Sequence, residues 1–414
     1  MPNLQIMQSE TDLGRLRINV TDSDGRPIEG AIADISSTGE PENILEELTT
    51  NLNGQTPIII LPASPLEYSS EPSVEQPYSE YNIKISAEGY SPFVISGAEL
   101  FSGQTSLQNI VLNPLFDQAD NVIVIPPNTL FGNYPPKIPE SEIKPINNRG
   151  EIVLNEVVIP QTIVVHDGVP SDSSATNYYV PFTDYIKNVA SSEIYPTWPR
   201  ETLKANIIAI ISFTLNRIYT EWYRNMSYNF NITSSTAYDH KWSPERTIFE
   251  DISEVVDEVF AEYVSRPNVK QPLLTQYCDG QKTTCRGMSQ WGSKYLGDQN
   301  YTALEILRNY YGNDIYINTA ETIEGIPVSY PGTPLDIGSY GSDVRTIQEQ
   351  LVAIRETYSL IPPLTIDGIY GERTKASVEA FQEIFDLPVT GTVGYSTWYK
   401  ISQLYVALEK LATF

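Results

Sequence analysis

The chain is poor in cysteine and histidine, with two of each in 414 residues. Two cysteines cannot build the disulfide framework that staples small secreted domains. A metal site would have to join both of them, Cys278 and Cys285, to distant histidines or carboxylates. Positive charge is also scarce. Lys and Arg number 26 against 52 Asp and Glu, for a formal net charge of -26. Such a surface repels phosphate backbones and anionic lipid, and no basic cluster reverses it locally. Nucleic acid and membranes are therefore not expected as partners. No apolar run has the length needed to cross a bilayer. Residues 1–10 have neither a basic start nor an apolar stretch, so no secretory signal peptide is expected.

What is present divides the chain, whose length suggests roughly two to four domains. Residues 12–113 show short apolar steps punctuated by Gly, Pro and Asp, such as Leu16 to Thr21, Ile28 to Ile35, Thr56 to Leu61, Tyr81 to Ser86 and Glu88 to Ser96. This pattern predicts a β-sandwich. Residues 114–152 are rich in Pro and Gly, which block helix interiors and sheet ladders. They read as an extended connector lying along a neighbouring domain, with an exposed, cleavable end at Asn147 to Leu154. Residues 153–325 are α-rich. Leu203, Ile207, Ile211, Leu215, Ile218 and Trp222 form a core stripe after Pro199, and Ile252 to Tyr263 marks a further helix. Leu274 to Gly280 reads as a strand running into a turn, and Tyr301 to Tyr311 as a short helix. Residues 326–334 are a linker, and residues 335–414 a compact unit with two similar amphipathic helices, Asp343 to Leu351 and Thr374 to Gln382. The predicted class is multidomain α+β.

One carboxylate stands out. Tyr185, Val189 and Glu193 are spaced i, i+4, i+8 on a helix read over 181–193, with Ile186 and Ala190 beside them. A glutamate continuing that face points at packed surface, where desolvation favours the protonated form a general acid needs. The alternative is a solvated glutamate at a helix end, which Pro196 and Pro199 mark. Asp184 and Glu201 read as first-turn carboxylates favouring the helix dipole. His166, after an apolar strand, reads as a structural hydrogen-bonding residue.

Three stretches carry resemblances. Residues 12–113, with the phrase around Val20 to Ala31, look like the carboxypeptidase-regulatory-like sandwich. Val180 to Ile186, Ala190 to Pro199, Leu203 to Ala205 and Gly287 to Gly292 resemble the catalytic domain of stage II sporulation protein D, a lytic transglycosylase. That resemblance implies Glu193 as catalytic acid, with the Gly287-Met-Ser-Gln segment near it. Ser289 and Gln290 read either as glycan contacts or as residues tying down a loop, and His240, in a polar loop, and Tyr195 are further candidate glycan contacts. Ile210-Ile-Ser-Phe and Thr283-Thr-Cys-Arg depart from that family's usual Ala-Arg-Ser/Thr-Tyr and Gly-His-Gly-Val. Gly341 to Leu351, Asp367 to Thr374, Ala380 to Gln382 and Leu387 to Trp398 are similar to the three-helix peptidoglycan-binding domain. There the resemblance gives Asp367, Tyr370 and Trp398 as groove candidates, each reading equally as a turn or core residue. Cys278 and Cys285 remain open between a short-loop disulfide and two thiols; with no histidine in their turn, no metal is expected.

In this order, and with Leu130 to Glu140, Tyr238 to Lys241 and Gly292 to Gln299, the whole chain resembles the clostridial spore cortex-lytic enzymes. The resemblance implies a cofactor-free zymogen in the spore cortex or outer spore layers, acting on peptidoglycan that contains muramic-δ-lactam. A subtilisin-like Csp protease would remove residues 1–113 and the connector, cutting near Gly150, Glu151, Ile152 and Val153. Until then the Pro-rich arm would either lie over the cleft and block glycan or assist folding or placement. Alternatives are a non-catalytic wall-binding or spore-structural protein, and a phage-tail-associated lysin.

Overall fold

The computed structural model describes residues 12–115, 122–143 and 154–409. Gly150, Glu151, Ile152 and Val153, expected to hold the processing site, lie outside the described residues. The stretch read as all-β forms two facing sheets. Strands β1 (Asp12–Asp22), β2 (Ile32–Ser37), β3 (Ile44–Thr49) and β4 (Ile59–Ala63) precede a single helical turn, α1 (Glu67–Ser70). They are followed by β5 (Ser79–Ser86), β6 (Phe93–Leu100), β7 (Thr105–Leu112) and β8 (Val122–Val124). One sheet runs β3-β2-β5-β6-β8; the other contains β7-β1-β4. Leu16, Ile18 and Val20 alternate inward from β1 and meet Ala33, Ile35, Ile83, Ile85 and Ile95 of the facing sheet. The period of two seen in sequence is thus the burial pattern of a sandwich.

The arm after β8 is irregular up to α2 (Glu140–Ile143). A three-stranded sheet follows, of β10 (Thr162–His166) between β11 (Asn177–Pro181) and β12 (Ile232–Thr233), with β9 (Val158–Ile159) just before it. Helix α3 (Phe182–Glu193) buries nearly every side chain, and α4 (Arg200–Tyr219) runs through the centre of the middle region. Both helices begin directly after a proline, Pro181 and Pro199, whose extended backbone turns the chain into the first turn.

The helix expected over Ile252 to Tyr263 is shorter. After β13 (Ile248–Phe249), α5 (Glu250–Val259) ends and Tyr263 sits on β14 (Glu262–Ser265). That strand pairs with β17 (Tyr316–Thr319), so sheet pairing overrides a locally helical apolar spacing. The strand expected over Leu274 to Gly280 reduces to β15 (Tyr277–Cys278), which lies parallel to β16 (Met288–Ser289). Helices α6 (Gln290–Asp298) and α7 (Ala303–Tyr311) and strand β18 (Thr322–Ile323) complete this part. Three helices, α8 (Ser342–Thr357), α9 (Glu372–Ile384) and α10 (Tyr395–Leu408), form the C-terminal unit around Val344, Ile347, Val378, Phe381 and Trp398.

The parts are fastened together. Strand β13 extends the β7-β1-β4 sheet by pairing antiparallel with β7, Ile248 opposite Leu107 and Phe249 opposite Ser106. Arg17 of β1 bonds Asp386 after α9 at 2.5 Å, and the Tyr358 hydroxyl donates to the Gly25 carbonyl at 3.1 Å. Among the described residues, no helix is long and apolar enough to cross a membrane.

Candidate active site

Glu193 is the last residue of α3 and is 5% exposed. The face carrying Tyr185, Ile186, Val189 and Ala190 is fully buried, so the helix delivers its terminal carboxylate into packed protein. Two donors hold that carboxylate. Oε1 accepts from the Lys241 backbone N–H at 2.8 Å, and Oε2 accepts from Thr129 Oγ1 at 2.9 Å. Burial pushes its pKa up; the Lys137 ammonium, the Lys241 N–H and Thr129 pull the other way, and burial prevails. Its place at a helix C-terminus adds to the same direction, because the dipole there disfavours an anion.

The Gly-Met-Ser-Gln box supports Glu193 from behind. Gln290 Nε2 donates to the Glu193 carbonyl at 2.9 Å, while Ser289 caps α6 by accepting from the Gly292 N–H at 2.9 Å. Both residues, read as glycan contacts, therefore spend these groups on positioning. Gly287 is required by close approach: a Cβ there would stand 1.6 Å from the Gln276 carbonyl oxygen. Cys278 and Cys285 are joined as a disulfide closing the turn between β15 and β16. Within that turn Asp279 accepts from the Thr283 N–H, the Thr283 hydroxyl and the Lys282 N–H at 2.7–2.8 Å. These bonds hold its carboxyl below the usual range despite partial burial.

The Pro-rich stretch lies on this site. Asn128, fully buried, donates to the Ser191 and Ile194 carbonyls at 3.1 and 3.3 Å, and the Thr129 N–H donates to the Ser192 carbonyl at 2.9 Å. Thr129, Gly132, Tyr134, Pro135, Pro136 and Lys137 wall the cleft at Glu193, leaving about 70 Å³. Small-molecule pockets usually offer about 300–1,000 Å³. With the arm in place this cleft has no room for a sugar pair. A cavity of about 550 Å³ lies away from Glu193, between the β7-β1-β4 sheet, α3 and the C-terminal helices.

The other expected contacts fall differently. His240 is no loop-surface residue. It is fully buried, its Nδ1 lies 3.2 Å from the Tyr185 hydroxyl, and its ring stacks on Tyr277. Burial, with Lys137 and Arg217 nearby, drives its pKa well below the ordinary value and keeps it neutral. Tyr195 is packed among Phe101, Trp198 and Trp291. In the C-terminal unit, Trp398 and Tyr370 are core residues rather than groove walls. Trp398 Nε1 donates to the Val328 carbonyl at 3.0 Å, and the Tyr370 hydroxyl to the Gly391 carbonyl at 2.8 Å. Asp367 caps its own turn, accepting from the Ile369 N–H at 2.9 Å and from Gln348 at 3.0 Å. His166 bonds Asn177 at 2.8 Å and stacks on Phe230.

Sequence reasoning missed Thr129, Lys137 and Lys241, which set the environment of Glu193. Thr129 and Lys137 were signalled only as polar side chains interrupting a proline-rich run, and Lys241, in the polar loop beside His240, acts through a backbone N–H that no side-chain pattern marks.

Residues 171–264 match the stage II sporulation protein family, SpoIID, and residues 340–401 match the peptidoglycan binding domain family. No curated protein matches the chain. Among solved structures, the SleB N-terminal domain is 27% identical over 19% of this chain and 99% of that one, with a TM-score of 0.17. The Bacillus anthracis TIE protein is 18% identical over 25% of this chain and 17% of that one, with a TM-score of 0.18. A 3-chlorocatechol 1,2-dioxygenase from Rhodococcus opacus 1CP is 11% identical over 25% of this chain and 61% of that one, also at 0.18. The chain thus carries a SpoIID domain followed by a peptidoglycan-binding domain.

Proposed function

We propose that this chain is the proenzyme of a spore cortex-lytic enzyme of the SleC type, a lytic transglycosylase that cuts cortex peptidoglycan during germination. The observation that carries the reading is Glu193: a buried carboxyl with a raised pKa, in the SpoIID domain, covered by a proline-rich arm. The peptidoglycan-binding domain would hold the enzyme on its polymer.

In this reading protonated Glu193 donates to the glycosidic oxygen between N-acetylmuramic acid and N-acetylglucosamine as an oxocarbenium-like centre develops. The C1–O bond breaks and the leaving sugar departs with that proton. The Glu193 carboxylate then takes the proton of the muramoyl C6 hydroxyl, whose oxygen bonds to C1 and closes a 1,6-anhydro ring. No water is consumed, and one carboxylate serves as acid and then base. The tied state of Asp279, which lines the same cleft, supports a single working carboxylate. Dormancy would follow from the arm, and activation from cleavage near Gly150 to Val153 by a subtilisin-like Csp protease.

The test is digestion of muramic-δ-lactam-containing cortex by the full chain, a chain beginning at Val153, and a Glu193→Gln variant of the latter, with fragments read by mass. Anhydromuramoyl ends from the short chain alone are expected. Reducing ends would replace the transglycosylase by a hydrolase. Binding without cleavage by any form would leave a wall-binding protein.

A further inference from the structure

The arm reaches beyond Glu193 to a second buried charge. Arg217, in the last turn of α4, has a fully buried side chain. Its Nε donates to Asp239 Oδ1 at 2.8 Å, and its guanidinium carbon lies 4.6 Å from the Phe213 ring centre and 4.5 Å from that of Trp222. Asp239 is itself fixed, because Oδ2 accepts from the Tyr223 hydroxyl at 2.6 Å and from the Thr233 N–H at 2.9 Å. The inner side of the guanidinium is therefore oriented by the SpoIID domain itself. The outer fork is filled by the arm: Nη1 and Nη2 donate to Glu140 Oε2 and Oε1 at 2.8 and 2.7 Å. This two-bond match is how arginine recognises a carboxylate.

Lys137, three residues before Glu140, sits between the two sites. Its ammonium donates to the Asp239 carbonyl and lies 5.1 Å from the Phe213 ring centre and 5.5 Å from that of Tyr277. The arm thus lays a cation beside Glu193 and an anion on Arg217. If the arm leaves, both go with it, and Arg217 loses its two-bond carboxylate while keeping Asp239 at Nε and the Tyr238 carbonyl 3.3 Å from Nη2. Asp239 still balances the charge, but charged donors of a buried fork that lose their acceptor cost free energy until another anion takes that place. The neighbouring cavity of about 550 Å³ sets Glu156, Glu221 and Glu324 against Arg224 and Arg217, so its lining has no excess of positive charge to draw an anion there. Recognition has to come from the guanidinium fork.

We propose that Arg217 is a substrate-binding residue that takes a muropeptide carboxylate in the place Glu140 holds. The carboxylate belongs to the stem peptide or to a free muramoyl lactyl group. This deepens the peptidoglycan reading and rests on it: Glu140 is the arm's copy of a substrate group.

The test uses the full chain with Glu140→Ala, and Glu140→Gln as a same-size second variant, in calorimetric titrations. The probes are a disaccharide-tetrapeptide, its fully amidated form, and a disaccharide with a free lactyl carboxylate. Both variants are expected to bind one acidic probe about tenfold more tightly than the amidated form, as a charged hydrogen bond requires. The probe that gains names the source. The unaltered chain is expected to show no such preference, and Arg217→Lys in the Glu140→Ala background to lose it. Equal binding of acid and amide by both variants would overturn the proposal. Acid-selective binding by both Glu140 variants, together with no anhydromuramoyl ends when the chain beginning at Val153 is given cortex, would end the transglycosylase reading and leave this site standing.

Discussion

Thr129 Oγ1 and Glu193 Oε2 lie 2.9 Å apart, although 64 positions separate the two residues in the chain. The arm therefore supplies part of the environment that sets the acidity of the carboxyl it covers. A segment that only blocked access would have no need to bond the carboxylate. Removing it exchanges one hydrogen-bond donor and one nearby ammonium for solvent or substrate, so the covered and uncovered forms differ in charge balance as well as in access.

Glu193→Gln is expected to lower glycan cleavage by about 10²–10⁴-fold, the usual span of one general acid. Its stability should move the other way. The folded pKa of Glu193 lies above its unfolded value of 4.5, so its stabilising contribution is complete below 4.5 and is lost as pH rises through the folded pKa. The variant should match the parent in acid and unfold at a higher temperature at pH 8. Thermal melts at both pH values check this; a lower melting point for the variant at pH 8 would contradict the burial argument.

Asn128→Ala should loosen the arm at its upstream end. The side chain serves the Ser191 and Ile194 carbonyls and the Leu130 N–H, and stranding such buried groups costs about 1–3 kcal/mol. Hydrogen exchange at the Thr129 amide, bonded to the Ser192 carbonyl, should quicken. The Ile138 amide, bonded to the Ala237 carbonyl at 2.7 Å, should not. Equal acceleration at both would mean that the arm opens as one piece.

Arg246 joins three parts of the fold. It pairs with Glu99 of β6 and donates to the carbonyls of Pro126 in the arm at 2.6 Å and Ser191 in α3 at 3.1 Å. Arg246→Met should cost about 3–5 kcal/mol, the range for stranding one partner of a buried pair. Burial pushes the Glu99 pKa from 4.5 up to about 7 against the pull of Arg246. Losing the arginine raises it further, so the stranded carboxyl takes up a proton and the penalty shrinks as pH falls. Urea titrations at pH 8 and pH 5.5 should show the larger loss at pH 8; equal losses would remove Glu99 from the account.

Reducing the Cys278–Cys285 disulfide should lower stability by about 2.5 kcal/mol, the chain-entropy value for so short a loop. The effect should reach the arm, because Lys282 within that turn donates to the Phe131 and Gly132 carbonyls at 2.7 and 3.1 Å. Exchange at amides near Phe131, with and without reductant, measures it. A Cys278→Ser/Cys285→Ser chain indifferent to reductant is the control.

The features legible in the sequence were those written in local periodicity. Alternation in Leu16, Ile18 and Val20 and the four-residue step from Tyr185 to Glu193 each follow from the geometry of one element. Lys137 and Glu140 were hidden because a proline-rich run gives no face, and only the fold brings it against α4. Trp398 misled for the same reason. An aromatic ring in a small helical domain reads equally as wall or core until the Val328 carbonyl is seen taking its N–H. Strand β13 is two residues long and carries no period at all.

That short strand has a consequence for how the molecule can be divided. Since β13 borrows an edge of β7, the boundary between sandwich and SpoIID domain runs through a sheet. Cutting the chain in the connector separates the covalent halves but leaves this ladder intact. Expressing the sandwich alone would bare the β7 backbone from Ser106 to Leu107, an invitation to pair with another copy. A cut in the connector therefore leaves the two parts held to each other through this ladder.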